Sequence, residues 1–205
     1  MSPVTLHLKR LSNELIQPFD LSIGPGEICC ISGQSGSGKS RLLRAIADLE
    51  PHSGEVMLDC LEQQQLPAHL WRQRVRLAPA ESQWWSERVG DHFPAEFNGE
   101  GLETLGLPVE AQEWDVMRLS SGEKQRLGLL RALAFPLQVL LLDEPCANLD
   151  PETTLRVEAM LLDRIQTEGW PVLWVAHDAA QMQRVADYRF QIRHEQLVEV
   201  TDERD

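Results

Sequence analysis

The chain has 205 residues, of which 19 are Lys or Arg and 32 are Asp or Glu, so its formal net charge is −13. This balance argues against a general binder of nucleic acids or anionic membranes, because such proteins carry a clustered basic surface. No apolar run approaches the roughly 18 residues of a membrane-spanning helix, and residues 1–10 lack the pattern of a signal peptide. We therefore expect a soluble, acidic, cytoplasmic protein with no nucleic-acid partner.

Short apolar runs alternate with amphipathic ones along the chain, which is typical of an α/β fold with a mostly parallel core sheet flanked by helices. The strands are predicted at 4–8, 16–23, 28–32, 55–58, 75–78, 139–142, 172–176, 190–192 and 197–200, and the helices at 39–49, 121–134, 151–165 and 178–186. The first two strands are expected to form an N-terminal antiparallel β subdomain.

The segment 84–118 is polar and contains glycines, and it is predicted to be mostly helical, as a short helical subdomain over about residues 84–120. The chain shows no internal repeat and no linker long enough to separate two domains. Residues 1–205 are therefore expected to form a single domain that ends in a charged tail at 201–205.

A phosphate-binding loop is the strongest motif of the chain. The pattern G-x-x-x-x-G-K-[ST] is matched by Gly33-Gln34-Ser35-Gly36-Ser37-Gly38-Lys39-Ser40. Its glycines let successive N–H groups turn inward around phosphate, and the following helix adds partial positive charge. Lys39 is expected to reach the β- and γ-phosphates and Ser40 to ligate Mg²⁺. A flexible Gly/Ser turn is the alternative, but it does not account for the strand before and the helix after.

Two acids follow the apolar run at 139–142. Asp143 and Glu144 are thereby placed at the carboxyl edge of a buried strand, where open α/β sheets bind ligands. Asp143 is predicted to hold Mg²⁺ through its water shell, and Glu144 to orient and polarise the attacking water. The alternative is an ordinary strand that ends in solvated acids, and the phosphate loop upstream favours the functional interpretation.

A further motif opens a predicted helix with the residues Leu119-Ser120-Ser121-Gly122-Glu123-Lys124-Gln125-Arg126. Ser120 followed by Glu123 is a capping-box pattern, and a capped helix end still offers N–H groups to an anion. The order of phosphate loop, LSSGE, LLLDEP, NLD at 148–150 and an isolated His177 resembles that of ABC-type ATPases. The resemblance covers residue 6 to about residue 197, and LSSGE separates this family from other phosphate-loop proteins.

The resemblance implies a phosphate-loop NTPase of ABC type that forms a head-to-tail homodimer. ATP and Mg²⁺ would lie between the phosphate loop of one subunit and Ser120, Ser121 and Gly122 of the other. His177 is then expected to contact the γ-phosphate, although a surface histidine at a strand end is the plainer interpretation. Asp150 is expected to cross to the partner subunit, and as the residue before a proline it also suits a helix N-cap.

The resemblance also implies a separate integral membrane permease as partner, and hence a peripheral location on the inner face of the cell membrane. Within the family, the segments GEKQRL and VLWVAHD are similar to a small bacterial ATP-binding subunit of iron export. That narrower similarity implies metal as the cargo.

Two departures from the family's pattern concern the nucleotide. The segment 11–15 contains no adenine-stacking aromatic. Arg41 follows Ser40 where the family usually has a hydroxyl residue, and Arg41 is expected to meet an α-phosphate with a different reach. Ser121 in place of a signature glycine is a milder departure.

Another departure concerns the metal. Ala80 stands where the family has a Mg²⁺-sensing glutamine, and Gln83 is predicted to substitute for it, with Glu81 as the alternative. Trp84 and Trp85 follow at once, and they are expected either to anchor a partner or to pack within the helical subdomain.

The predicted function is therefore ATP hydrolysis by a dimer that drives a permease, with Lys39, Glu144 and His177 as the catalytic residues. One alternative is a soluble, non-transport ABC ATPase, although the long insertions or tandem modules of that class are not visible. A second is a weakly hydrolysing regulatory module, which the missing aromatic and glutamine favour. A small-molecule kinase with a phosphate loop would leave LSSGE unexplained.

Overall fold

The computed structural model describes residues 3–200 and consists of ten strands and five α-helices within that range. The strands are β1 (Leu6–Asn13), β2 (Ile16–Ile23), β3 (Ile28–Gly33), β4 (Ser53–Leu58), β5 (Leu61–Glu62), β6 (Val75–Ala78), β7 (Val139–Asp143), β8 (Val172–Val175), β9 (Tyr188–Arg193) and β10 (Gln196–Glu199). The helices are α1 (Lys39–Ile46), α2 (Ala68–Arg74), α3 (Ser121–Leu133), α4 (Pro151–Glu168) and α5 (Ala179–Val185).

The strands form two sheets. A four-stranded antiparallel sheet has the order β2-β1-β4-β5, and a six-stranded sheet has the order β10-β9-β3-β8-β7-β6. In the larger sheet β9, β3, β8, β7 and β6 run parallel, and only β10 pairs antiparallel, with β9. This confirms the predicted α/β architecture with a mostly parallel core sheet and an antiparallel β unit at the N-terminus.

The central strands of the large sheet are buried on both faces, because each face is covered by another layer. In β3, Ile28 and Cys30 belong to one hydrophobic core, whereas Cys29 and Ile31 belong to the other. β7 and β8 alternate in the same way. The period of two along a strand therefore divides the interior into two cores, one on each side of the sheet.

Helices cover the two faces unequally. α3, α4 and α5 contribute Leu127, Val157 and Val185 to the first core. The second core lies between the large sheet and the antiparallel sheet, and it contains Leu42 of α1 and Trp71 of α2. Within residues 3–200, no helix is both long enough and apolar enough to cross a bilayer.

Several predicted boundaries were wrong for local reasons. β1 begins at Leu6 rather than Val4 and continues to Asn13, with irregular pairing to β2 between Leu8 and Asn13. α1 ends at Ile46, three residues early, because Asp48 takes a left-handed φ of +58°. α4 extends to Glu168 and ends at Gly169, whose φ of +69° is the usual left-handed helix stop.

One helix was omitted from the prediction. α2 was not predicted at all, because its seven residues show too short a pattern for a helical period. The predicted charged tail at 201–205 lies outside the described residues.

The prediction of a mostly helical segment over 84–118 was wrong. This segment contains three short 3₁₀ helices, at Gly90–His92, Val109–Glu113 and Val116–Arg118, and no α-helix. Gly99, Gly101 and Gly106 have φ between +68° and +88°, and each left-handed residue interrupts a right-handed helix. Pro94 and Pro108 interrupt it further. The segment nevertheless packs on the first core through Val89, Leu102, Leu105 and Val116.

Gly128 of α3 provides a test of this packing. A Cβ at Gly128 would lie 2.6 Å from the Cβ of Ser82, in the loop that follows β6. A change from Gly to Ala inside a helix normally stabilises by about 1 kcal/mol. Here we expect Gly128→Ala to lower the free energy of unfolding by about 1–3 kcal/mol, because the site is already filled.

The measurement is chemical denaturation of both single variants and the double variant. Ser82→Gly removes the obstructing side chain, so Ser82→Gly/Gly128→Ala should be at least as stable as Ser82→Gly alone. A Gly128→Ala single variant that is more stable than the wild type would contradict the packing described here.

Candidate functional site

The phosphate loop joins β3 to α1, and its glycines determine its shape. Gly36 and Gly38 have φ of +79° and +100°, a region that L side chains rarely adopt. A Cβ on Gly38 would lie 3.0 Å from the Cβ of Leu15, so the β1–β2 turn packs closely against the end of the loop. The hydroxyl of Ser37 is buried and without a hydrogen-bond partner among residues 3–200. An unpartnered polar group inside such a loop fits a ligand that brings its own oxygens.

Lys39, the first residue of α1, is only 6% exposed. Its Nζ donates hydrogen bonds of 2.9 Å and 3.0 Å to the carbonyls of Gly33 and Gln34. Burial lowers the pKa of Lys39, whereas the nearby charges of Glu144 and Asp143 raise it. The ammonium group therefore lies within the loop, with two carboxylates near it.

Ser40 and Asp143 meet at the carboxyl end of β7. The Ser40 hydroxyl donates to Oδ1 of Asp143 over 3.1 Å, and the backbone of Ala80 hydrogen-bonds to the same carboxylate. Asp143 is 7% exposed, and burial raises its pKa against the lowering effect of the Ser40 hydrogen bond. A hydroxyl and a carboxylate are the oxygen ligands that Mg²⁺ prefers. The residues present fit the predicted ion, which Ser40 and Asp143 would hold.

Glu144 has an unusual backbone. Its φ is +52°, which costs a non-glycine residue about 1–3 kcal/mol and persists only when the surroundings enforce it. Its N–H donates to the carbonyl of Val175 over 3.1 Å, and its carbonyl accepts from the side-chain amide of Gln125 over 2.8 Å. These two hydrogen bonds turn the chain sharply after Asp143, so the two adjacent acids have separate partners.

His177 contacts the Glu144 side chain. Nε2 of His177 lies 2.7 Å from Oε1 of Glu144, and the two side chains are 51% and 30% exposed. Since an ionised carboxylate only accepts, Nε2 is the donor in that state. His177 lines a cleft of about 430 Å³ together with Glu144 and Leu155, and a second cleft of about 540 Å³ together with Gly33 and Gln34.

The LSSGE segment forms the N-terminus of α3. Ser120 is the N-cap, and it makes a full capping box with Glu123: each residue's side chain bonds the other's backbone N–H. The N–H and the hydroxyl of Ser120 both donate to the Glu123 carboxylate, and they lower the pKa of Glu123. Ser120 and Ser121 are exposed, and Gly122 lies near Leu149. Within residues 3–200, no hydrogen bond joins this segment to the phosphate loop.

Asp150 is the N-cap of α4, because its carboxylate accepts from the N–H of Thr153 over 2.9 Å. Hydrogen bonds from the side chain and the N–H of Thr153 lower the pKa of Asp150. Pro151 takes the first helical position, so the N-cap interpretation is confirmed. Asp150 is nevertheless exposed.

Arg41 is held by two carboxylates. Its guanidinium donates from Nε to Glu50 over 2.8 Å and from Nη1 to Glu14 over 3.1 Å. Both hydrogen bonds raise the pKa of Arg41, and the one to Glu50 raises it most. The contact of Arg41 with an α-phosphate stays a prediction.

Gln83 is exposed, and its backbone carbonyl accepts from Arg131 over 2.8 Å. The Ala80 backbone contacts Asp143, and the part of Gln83 in the metal site stays a prediction. Arg131 lies between the rings of Trp84 and Trp85, 4.7 Å and 4.9 Å from their centroids. Trp84 packs on the first core and Trp85 is 71% exposed, so each tryptophan matches one of the two alternatives.

Sequence reasoning missed two contributors to the site. Gln125 was read only as part of the LSSGE helix, although a buried glutamine on its apolar side signals a specific partner. The backbone of Ala80 carries no sequence signal, because any residue supplies the same N–H.

Comparison with known proteins points to one family. The family model described as "ABC transporter" matches residues 16–147. The aliphatic sulfonates import ATP-binding protein SsuB of Pseudomonas putida is 36% identical over 185 residues, which is 85% of this chain and 66% of that protein. This chain thus spans slightly less than two thirds of the length of that relative.

A protein of Bacillus subtilis named as an ABC transporter ATP-binding protein, YjkB, is 32% identical over 92% of this chain and 80% of its own length. Among solved structures, a bacterial Atm1-family ABC exporter with ATP bound matches 97% of this chain and 39% of its own, with a TM-score of 0.84 and 17% identity. At that identity the likeness concerns the fold alone.

The burial of Asp143 predicts an effect on stability. Because the fold raises the pKa of this carboxyl, its charged form is disfavoured, and the neutral isostere in Asp143→Asn should stabilise the ligand-free protein. If the gain is about 1 kcal/mol, the melting temperature rises by roughly 2–4 °C. The gain should shrink as the pH falls towards the ordinary aspartate value of 3.8, because wild-type Asp143 then becomes neutral as well.

The measurement is thermal unfolding across a pH series without nucleotide. Asp163→Asn is the control, since Asp163 is exposed on α4 and its change should alter stability by less than about 0.5 kcal/mol. A loss of stability in Asp143→Asn at neutral pH would show that the charge of Asp143 is stabilising.

Proposed function

Since the chain belongs to the ABC transporter family, we propose that it binds Mg-ATP on the phosphate loop and hydrolyses it to drive a separate membrane permease. The observation that carries the proposal is the pairing at the end of β7. Asp143 is bonded to Ser40 of the phosphate loop, and the next residue, Glu144, is bonded to His177. A metal-binding pair thus lies beside an acid that is suited to act on water.

Each part of the site has a distinct role in this proposal. The N–H groups of Gly33–Ser40 and the ammonium of Lys39 bind the β- and γ-phosphates. Ser40 and Asp143 hold Mg²⁺, which when bound neutralises charge on the phosphate oxygens. The backbone of Ala80 orients the Asp143 carboxylate, and Gln83 stands in for the missing glutamine beside the metal.

Glu144 orients the attacking water and accepts its proton as the oxygen–phosphorus bond forms. The bond between the γ-phosphorus and the bridging oxygen breaks, which leaves ADP and phosphate. His177 already bonds Glu144 through Nε2. In the proposed reaction it fixes the direction of that carboxylate and contacts the γ-phosphate. The enforced backbone of Glu144 holds the acid in place before ATP arrives, which reduces the reorganisation that hydrolysis requires.

The site is proposed to be completed by a second copy of the chain in a head-to-tail homodimer. The N–H groups of Ser121 and Gly122 at the start of α3, next to the exposed Ser120, are offered to the γ-phosphate of the partner's ATP, and Gly122 allows close approach. Asp150 crosses to the partner subunit. Leu155 is 53% exposed beside the cleft at Glu144, an apolar position that such a dimer would cover.

The cargo is chosen by the permease, since no helix among residues 3–200 could cross a bilayer. The similarity in GEKQRL and VLWVAHD favours iron export, and the name of the Pseudomonas putida relative refers to import of aliphatic sulfonates. In both cases the chain works as a peripheral subunit on the cytoplasmic face of the membrane.

Glu144→Gln tests the chemistry. The amide keeps the shape of the side chain but cannot accept the proton, so phosphate release should fall by about a hundredfold or more. Mg-ATP binding should persist, and the variant should elute as an ATP-stabilised dimer in size-exclusion chromatography. Glu168→Gln, an exposed change at the end of α4, serves as the control and should hydrolyse ATP normally. Undiminished turnover in Glu144→Gln would refute the assignment of the base.

A separate experiment tests the partner. Purification of the tagged chain from detergent-solubilised membranes of its own source should recover a protein with several membrane spans, and ATP hydrolysis should rise in that complex. Recovery of the chain alone, with turnover already high, would favour the soluble ATPase. Recovery of the chain alone with negligible turnover would favour the regulatory module. That alternative is supported by Ala80, which stands where the family has a glutamine.

A further inference from the structure

Arg41 lies next to the phosphate loop but is engaged by two carboxylates from distant parts of the chain. Glu14 belongs to the turn between β1 and β2, and Glu50 follows α1. Nη1 of Arg41 is 3.1 Å from Glu14, and Nε is 2.8 Å from Glu50. Arg44, one turn further along α1, donates to the other oxygen of Glu50 over 2.7 Å. Two arginines and two glutamates thus form one cluster beside the loop.

The charges of this cluster make it a poor phosphate site. The positive charges of Arg41 and Arg44 are matched by those of Glu14 and Glu50, so the cluster has no net charge, and both carboxylates lie against Arg41. A phosphate brought to Arg41 would approach both carboxylates. Like charges at short range oppose binding, whereas a neutral group at the same place meets no such penalty.

The orientation of a nucleotide on the phosphate loop would bring its neutral nucleoside, rather than its phosphates, next to Arg41. The γ-phosphate must lie near Glu144 and His177, which share one end of the loop with Gly33 and Gln34. The α-phosphate and the nucleoside then extend towards the other end of the loop, where Leu15 packs on Gly38. Arg41 and the β1–β2 turn border that end.

The guanidinium of Arg41 is held in a way that suits stacking. Its hydrogen bonds to Glu14 and Glu50 use N–H groups in the plane of the guanidinium, so they leave the flat faces of the group unused. The side chain is 37% exposed, and the two anchors fix its plane before a ligand binds. Planar guanidinium groups stack on the faces of aromatic rings.

We infer that the planar face of Arg41, fixed by Glu14 and Glu50, is the surface on which the nucleotide base stacks. This inference rests on the proposed function, because it assumes a nucleoside triphosphate on the phosphate loop. It explains how the base is held although the turn that carries Glu14 and Leu15 contains no aromatic side chain. Every base offers a π-face, so the contact binds adenine and guanine with similar strength.

The experiment measures dissociation constants by isothermal titration calorimetry for Mg-ATP and for Mg-tripolyphosphate, which lacks the nucleoside. Arg41→Ala should weaken Mg-ATP by about tenfold and leave Mg-tripolyphosphate within about twofold. Arg41→Lys keeps the charge but lacks the plane, so it should weaken Mg-ATP almost as much as Arg41→Ala. Glu14→Gln, which removes one anchor, should produce a smaller loss.

Arg44→Ala is the matched control, since Arg44 shares Glu50 with Arg41 but is not assigned to the base, and its affinity for Mg-ATP should stay within about twofold. Thermal unfolding of each variant shows that it is folded. The inference is overturned if Arg41→Ala weakens tripolyphosphate as much as ATP, or if Arg41→Lys binds ATP like the wild type, because Arg41 would then act through its charge. A wild-type protein that binds neither ligand would instead refute the proposed function.

Discussion

The site depends on parallel pairing in register across β3, β8 and β7. Ile31 of β3 pairs with Val175 of β8, and Val175 pairs with Asp143 of β7. Because parallel strands present their carboxyl ends at the same edge, this register brings together the phosphate loop after β3, the acids at the end of β7 and the histidine after β8. A shift of one residue in either pair would turn Asp143 to the other face of the sheet. The chemistry therefore rests on backbone pairing between strands far apart in sequence.

An acidic chain holds the proposed anionic ligand because charge is organised locally. The net charge of −13 opposes polyanions in general, but the loop offers N–H groups, a helix N-terminus and the buried Lys39. Asp143 and Glu144 look unfavourable beside a triphosphate, yet Asp143 is paired with the Ser40 hydroxyl and suits a metal ion, while Glu144 is turned towards His177. The two carboxylates therefore have different partners, Ser40 for Asp143 and His177 for Glu144. The left-handed φ of Glu144 makes this possible, because it turns the chain directly after Asp143.

The features that leave a local pattern in the sequence were predicted, whereas those that depend on contacts between distant residues were not. The two-sided strands and the phosphate loop were predictable, because burial on both faces and a glycine pattern leave direct traces. The segment 84–118 was mispredicted, since its glycines act through φ values that composition does not reveal. The ion pairs of Arg41 were not predicted, because its partners, Glu14 and Glu50, lie 27 and 9 residues away and carry no common pattern. The backbone of Ala80 cannot be inferred from side chains at all.

The loop after β6 contacts both Asp143 and α3, which belong to the two halves of the proposed composite site. At its start the Ala80 backbone bonds Asp143, and at its end Arg131 of α3 is held by the Gln83 carbonyl and by the rings of Trp84 and Trp85. The exposed Ser120 is the N-cap of α3, and in the proposed head-to-tail dimer it would face the partner's ATP. Gly128 packs against Ser82 of the same loop without room for a methyl group. In that dimer, a helix and a loop packed this tightly would carry a displacement near Asp143 of one subunit to the residues that complete the site of the other.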